Sequence, residues 1–183
     1  MNKVFKIGLI GCGHIAETYF RGHDYFNNFK IIKCADINAE AAKKCANHYN
    51  IEAVTIDEIL NDKEIEIILN LTIPQSHYSV SKKVLNAGKH VYCEKTMVRG
   101  IYDNLNLVKK VKKSNIIFQT GHQYHSSRLY SHVVDMINSN EIGKVSYFDC
   151  QWNRNGNWRR PVLDPTLERL INWRMYKEYS GGL

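Results

Sequence analysis

An apolar run, Val4–Ile10, leads directly into Gly11-Cys12-Gly13-His14-Ile15-Ala16 and then into residues with helical spacing. A strand, a turn with two glycines so spaced and a helix start constrain the fold more than any other stretch of this chain. The first glycine permits the tight turn, the second lets a phosphate approach the backbone, and a small residue such as Ala16 lets helix and strand pack closely. The helix start adds backbone N–H groups and the positive end of its dipole. Gly11, Gly13, His14 and Ile15 are therefore the expected pyrophosphate-binding residues of a dinucleotide site. Glycine pairs are common in turns, so the weight lies in the setting between strand and helix.

Beyond the turn the chain keeps a strand–helix alternation. Strands are expected at Val4–Ile10, Lys30–Ala35, Ile65–Leu71, His90–Cys93 and Ile116–Thr120, with helices at His14–Arg21, Asn38–Tyr49, Ser76–Ala87, Ile101–Lys113 and Arg128–Asn138. Asn38 suits an N-cap and Gly88 a helix stop. In the helix from Ile101 the apolar positions are Ile101, Leu105 and Val108. Glu66-Ile67-Ile68-Leu69-Asn70-Leu71 is apolar on consecutive residues, as in a parallel sheet covered on both faces. The expected class is α/β, a doubly wound Rossmann-type sheet over residues 1–122. The remainder, 123–183, differs in composition: all three tryptophans and five of the eight arginines lie beyond residue 150. Lys144–Trp152 alternates like a strand, with almost nothing after it to pair with.

Asp36 closes the second strand about 20 residues past the glycine turn, where an acid can accept hydrogen bonds from the adenosine ribose hydroxyls. The competing reading is an Asp that starts a turn ahead of the helix at Asn38. A carboxylate would repel a 2′-phosphate, and Ile37 and Asn38 bring no arginine, so the pattern favours NAD over NADP.

The chain carries 25 Lys and Arg against 18 Asp and Glu, a formal charge of +7. That favours anions without choosing one. Lys109, Lys110, Lys112 and Lys113 fall at an expected helix C-terminus, where cations suit the dipole, so no nucleic-acid site is assigned. Five widely spaced cysteines (12, 34, 45, 93 and 150), without a Cys-x-x-Cys pair, fit reduced thiols in a cytoplasm. No run approaches a membrane span, and the N-terminus lacks the form of a secretory signal.

Asn70-Leu71-Thr72-Ile73-Pro74 with His77, then Ala87-Gly88-Lys89-His90-Val91-Tyr92-Cys93-Glu94-Lys95, follow the glycine turn in order. With these motifs the chain resembles, over essentially its whole length, the glucose-fructose oxidoreductase and inositol dehydrogenase (Gfo/Idh/MocA) family. The resemblance implies that Thr72, Pro74 and His77 line the nicotinamide half of the cofactor site. It also implies that Glu94 and Lys95 stand beside the reacting carbon, with Lys95 catalytic. The family's usual Glu-Lys-Pro is Glu94-Lys95-Thr96 here. A lysine at a strand end can stabilise negative charge on a sugar oxygen or relay its proton; from the residues alone, a surface lysine paired with Glu94 is the favoured reading of the two.

Gly121-His122-Gln123-Tyr124 is similar to the family's segment leading into the substrate site. His122 and His125 lack a third metal ligand nearby, the resemblance implies no metal, and His132 reads as structural. Asn157-Trp158-Arg159-Arg160-Pro161 and the segment from Asn172 to Gly182 resemble a branch that includes NAD-dependent glycosidases, which oxidise a sugar transiently, eliminate the aglycone and reduce the ring again. Tyr124, Trp158 and Arg159 are the candidate substrate contacts.

In the family, Gly181-Gly182 lead into a segment with an acid and a catalytic histidine and then an antiparallel sheet domain. The chain is therefore expected to be truncated, with residues 123–183 starting an incomplete α+β domain that, when whole, would support a homo-oligomer. Three functions remain open. They are an NAD-dependent oxidoreductase on a sugar, polyol or amino-sugar derivative, or a fragment of one; an NAD-dependent glycosidase; and a noncatalytic NAD-binding remnant. Nucleic-acid binding through the basic charge is a fourth, and would weaken steeply with salt.

Overall fold

The structure, a computed structural model, describes residues 3–22, 25–153 and 155–180. Arg154 of the arginine-rich segment and the Gly181-Gly182 pair lie outside the described residues. The chain divides into two compact units, Met1–Gly121 and His122–Leu183.

The first unit is a six-stranded parallel sheet. Its strands are β1 (Phe5–Ile10), β2 (Phe29–Ala35), β3 (Glu52–Ala53), β4 (Ile67–Asn70), β5 (His90–Glu94) and β6 (Phe118–Gly121). The spatial order is β3-β2-β1-β4-β5-β6, so the direction of winding reverses between β1 and β4. Ligands of open parallel sheets bind at such a reversal, outside the carboxyl ends of the strands.

The helices of this unit are α1 (Ala16–Arg21), α2 (Ala39–Tyr49), α3 (Ile56–Asn61), α4 (Pro74–Asn86) and α5 (Ile101–Lys112). Alternation along each strand supplies two cores. Ile7 and Leu9 of β1 pack with Ala16, Phe20, Cys45 and Ala46 of α1 and α2. Ile10 and Ile68 pack with Ile59, Val80, Val84 and Leu107 of α3, α4 and α5. With both faces covered, consecutive residues of a strand such as β4 must be apolar.

Local chemistry sets several boundaries. The Asn38 side chain accepts from the N–H groups of Glu40 and Ala41 as the N-cap of α2. Gly88 follows α4 in the left-handed region, at φ 74°. Thr55 and Glu58 form a reciprocal capping box that starts α3, a helix that periodicity does not reveal although its Thr-x-x-Glu signature is present. In α5 the buried residue is Leu107, with Val111 one turn on against the same core, while Ile101, Leu105 and Val108 are exposed. The face toward the sheet is thus not the one the apolar positions suggested.

The second unit holds α6 (Arg128–Asn138), then a long irregular stretch and two short helices, α7 (Glu168–Ile171) and α8 (Lys177–Ser180). Lys144–Trp152, expected as a strand, has no ladder partner among the described residues and forms none; alternation alone cannot hold an unpaired strand. Asn172 is buried here, its side chain exchanging hydrogen bonds with the backbone N–H and carbonyl of Arg160. No helix among the described residues is long and apolar enough to cross a membrane.

Candidate functional site

One row of residues crosses the sheet at its carboxyl edge: Ala35, Ile10, Asn70, Cys93 and Thr120 pair in register from β2 to β6. Just beyond that row lie Asp36 after β2, the glycine turn after β1, Thr72 after β4, and Glu94 and Lys95 at the end of β5. Ten of the predicted residues (Gly11, Gly13, His14, Ile15, Asp36, Thr72, Pro74, His77, Glu94 and Lys95) therefore belong to one edge of one unit.

The turn needs glycine at position 11 twice over. Its φ is 102°, and a Cβ there would stand 2.7 Å from the backbone carbon of Leu71 and the nitrogen of Thr72. A Cβ on Gly13 would meet nothing within 4 Å, so the space over that residue is open. His14 and Ile15 are exposed beside it, and Pro74 occupies the first turn of α4.

Asp36 is held by two backbone donors. Its Oδ2 accepts from Cys12 N at 2.7 Å and its Oδ1 from Asn38 N at 2.8 Å. The turn reading and the ribose reading thus coexist: a carboxylate offers about four acceptor positions, and two stay open.

A buried polar network lies under Thr72. Asn70, fully buried, donates to the His77 carbonyl at 3.1 Å and to Ser81 Oγ at 3.0 Å, and accepts from Thr72 Oγ1 at 2.7 Å. His77 is also buried; Nε2 lies 2.9 Å from the Thr72 carbonyl oxygen, and Nδ1 is hydrogen-bonded with the carbonyl of Thr96. With both ring nitrogens engaged by backbone, His77 ties the Thr72 loop to the Lys95–Thr96 loop. That tie supports the two loops from beneath.

Glu94 accepts from the Tyr19 hydroxyl at 2.6 Å and from Lys95 N at 3.0 Å. Its carboxylate makes no ion pair with Lys95 Nζ among the described residues, and Lys95 is exposed. The Lys95–Thr96 peptide is cis.

Two features of this unit carry no recognisable signal in the sequence. Both amide atoms of Gln75, in the first turn of α4, are buried without a hydrogen-bond partner. Cys12, Cys34 and Cys45 place their sulfurs within 4.8 Å of one another. Separations of 22 and 11 residues carry no ligand signature; only the crossover from β1 to β2 to α2 brings these thiols together. The neighbouring Cys12 and Cys34 thiols pull Cys45 below its ordinary value. Cys34 is eased by Cys12 but, with Cys45 and burial opposing, is pushed up to about 12.

The candidate substrate residues fall in the second unit. Tyr124 is exposed, its ring 5.3 Å from that of Tyr130 and 6.3 Å from that of Trp152. Trp158 is exposed, and Arg159 lies 3.9 Å from the Glu168 carboxylate. The His122 and His125 rings are 5.8 Å apart and join no group of three ligands among the described residues.

Comparison with known proteins agrees with the sheet order. Residues 5–122 match the Gfo/Idh/MocA family model, described as an oxidoreductase family with an NAD-binding Rossmann fold. An oxidoreductase of Formosa agariphila is 27% identical over 186 aligned residues, 100% of this chain and 56% of that protein. Inositol 2-dehydrogenase of Salmonella typhimurium is 26% identical over 76% of this chain and 43% of its own length. Among solved structures, the Lactobacillus casei myo-inositol dehydrogenase with NAD(H) and myo-inositol superposes with a TM-score of 0.72 at 20% identity, over 76% of this chain and 43% of that one. A 3-ketoreductase from Actinomadura kijaniata, in complex with TDP-benzene and NADP, gives 0.69 at 18%, over 78% and 46%. The chain spans about half the length of the curated relatives it matches.

Proposed function

This chain belongs to the Gfo/Idh/MocA oxidoreductase family with an NAD-binding Rossmann fold, and from that premise we propose that it binds NAD at the strand-end crevice and serves hydride transfer with a sugar, polyol or amino-sugar derivative. The open space over Gly13 and the spare acceptor positions of Asp36 fit such a cofactor. So does the buried amide of Gln75, whose unpaired atoms call for a polar partner. When bound, the nicotinamide ring would supply the hydride donor or acceptor.

The protein's own part is placement and charge. Gly11, Gly13, His14 and Ile15 hold the pyrophosphate through backbone, and Asp36 accepts from the ribose hydroxyls. Thr72, fixed by Asn70, and Pro74 shape the nicotinamide end. Glu94 is positioned by Tyr19 and in turn accepts from the backbone of Lys95. Lys95 Nζ, exposed and without an ion pair among the described residues, is the group that stabilises or moves a proton at a substrate oxygen. Tyr124, Trp158 and Arg159 contribute stacking and hydrogen bonds to the sugar.

NAD rather than NADP is favoured because a carboxylate at Asp36 would repel a 2′-phosphate, and Ile37 beside it is exposed and uncharged. Five free cysteines suit a reducing cytoplasm, and the family resemblance supports homo-oligomeric assembly.

The Asp36–Cys12 hydrogen bond carries this reading, because it fixes the acid beside the glycine turn. Calorimetric titration of the wild type and of Asp36→Ala with NAD and with NADP tests it. Tighter binding of NAD to the wild type is expected, with at least a tenfold loss in the variant and a narrower NAD-to-NADP ratio. Equal binding of the two cofactors by the wild type would remove the NAD preference; failure to bind either would remove the assignment of the crevice.

A further inference from the structure

We propose that Cys12, Cys34 and Cys45 form a binding site for a thiophilic d10 cation, zinc(II) or copper(I), at the base of the glycine-rich turn. Their three sulfurs lie within 4.8 Å of one another. Metal–thiolate bonds of about 2.3 Å require sulfurs roughly 3.8 Å apart in tetrahedral and 4.0 Å apart in trigonal geometry. Closure from the observed spacing therefore takes a movement of about 1 Å or less. Rotations of the cysteine side chains can supply that.

Two of the ligands sit on rigid elements. Cys34 is fully buried in β2, paired in register with Leu9 of β1, and Cys45 faces the same core from α2. The third, Cys12, belongs to the turn itself and is half-buried, which opens one side of the cluster to an arriving ion. The contacts the thiols now make are weak: Cys12 Sγ to the Ala35 carbonyl at 3.7 Å and Cys34 Sγ to the Ala42 carbonyl at 3.5 Å. Neither costs much to give up.

Donor chemistry selects the class of ion. Three sulfur ligands without a carboxylate or imidazole in the group favour soft cations over magnesium or calcium. Zinc would complete four-coordination with a water on the Cys12 side, and copper(I) would accept three thiolates. The remaining thiols are separate controls: Cys93 is buried in β5, and Cys150 is exposed in the second unit. The site stands whether or not the crevice takes NAD, since none of its ligand atoms is assigned to cofactor.

The test uses the full chain, reduced and metal-free, titrated anaerobically with zinc(II) and separately with copper(I). One equivalent of at least one ion per chain is expected. Cys12→Ser, Cys34→Ser and Cys45→Ser should each weaken its binding at least tenfold, while Cys93→Ser and Cys150→Ser leave it unchanged. A wild-type measurement guards against variants that misfold. The bound ion should slow alkylation of Cys12 at least tenfold, read by peptide mass, with Cys150 labelled at an unchanged rate. Failure of both ions to bind, binding that depends on Cys150, or Cys12 labelled equally fast with and without metal would overturn the site.

Discussion

The Tyr19 hydroxyl donates to Glu94 Oε1 across 2.6 Å, joining the first helix to the strand end that carries Lys95. Burial first, and then this bond, push the Tyr19 phenol well above its usual range, so it stays a donor through neutral pH. A hydrogen bond to a charged acceptor contributes about 1.5–3 kcal/mol, and partial exposure of Glu94 places this one at the low end. Tyr19→Phe should therefore lower unfolding free energy by about 1.5 kcal/mol in urea. Glu94→Gln keeps an acceptor oxygen and should cost less. Equal stability of Tyr19→Phe and wild type would show that the bond does not contribute.

The sheet and its strand-end residues were legible because they rest on local rules. Apolar runs of buried strand length, the glycine turn and the acid after β2 are all contiguous in sequence. The short strand β3 was not, since two residues leave no period to read, and it exists only through pairing with Lys33 and Cys34. The tie that His77 makes was hidden for a related reason. Its residue type suits a cofactor contact, but the carbonyls that engage both its nitrogens come from loops 5 and 19 residues away. Lys144–Trp152 shows the converse, a local pattern without the long-range partner that would make it a strand.

Asp62 and Lys33 set a pH dependence. They approach to 2.9 Å, and the Lys33 hydrogen bond, ahead of the backbone donor at Glu64, holds the Asp62 carboxyl below its ordinary value. A depressed folded-state pKa means stability that is present above the unfolded value, near 4, and lost as pH falls through the folded one. Wild-type Tm should thus drop on acidification below about pH 4. Asp62→Asn should start lower at pH 7 and lose less over the same range. Parallel acid profiles for the two proteins would rule out this pair as a source of the dependence.

Asn70 saturates a site that an apolar residue of similar size would leave unpaired. Asn70→Leu strands the His77 carbonyl, Ser81 Oγ and Thr72 Oγ1, all bonded to it now. Buried polar groups left without partners cost about 1–3 kcal/mol each, and local rearrangement recovers part, so a loss of about 2–4 kcal/mol is expected. Denaturant unfolding measures it. A loss below about 1 kcal/mol would mean the network relaxes onto water or other partners.

Gly11 and Gly13, two residues apart in one turn, should separate folding from binding. At Gly11 a methyl group would press on the Leu71–Thr72 backbone at 2.7 Å, and the φ of 102° is unfavourable for any other residue. Gly11→Ala must part β1 from the loop after β4 and should cost about 2–4 kcal/mol. Gly13 has no such constraint: its φ lies outside the left-handed region and its methyl would meet no protein atom within 4 Å. Gly13→Ala should fold within about 0.5 kcal/mol of wild type. Its methyl would nevertheless occupy the space through which a pyrophosphate reaches the backbone, so NAD affinity should fall at least tenfold. If Gly13→Ala binds NAD as the wild type does, the dinucleotide does not cross this turn, and the glycine pair is an element of the fold alone.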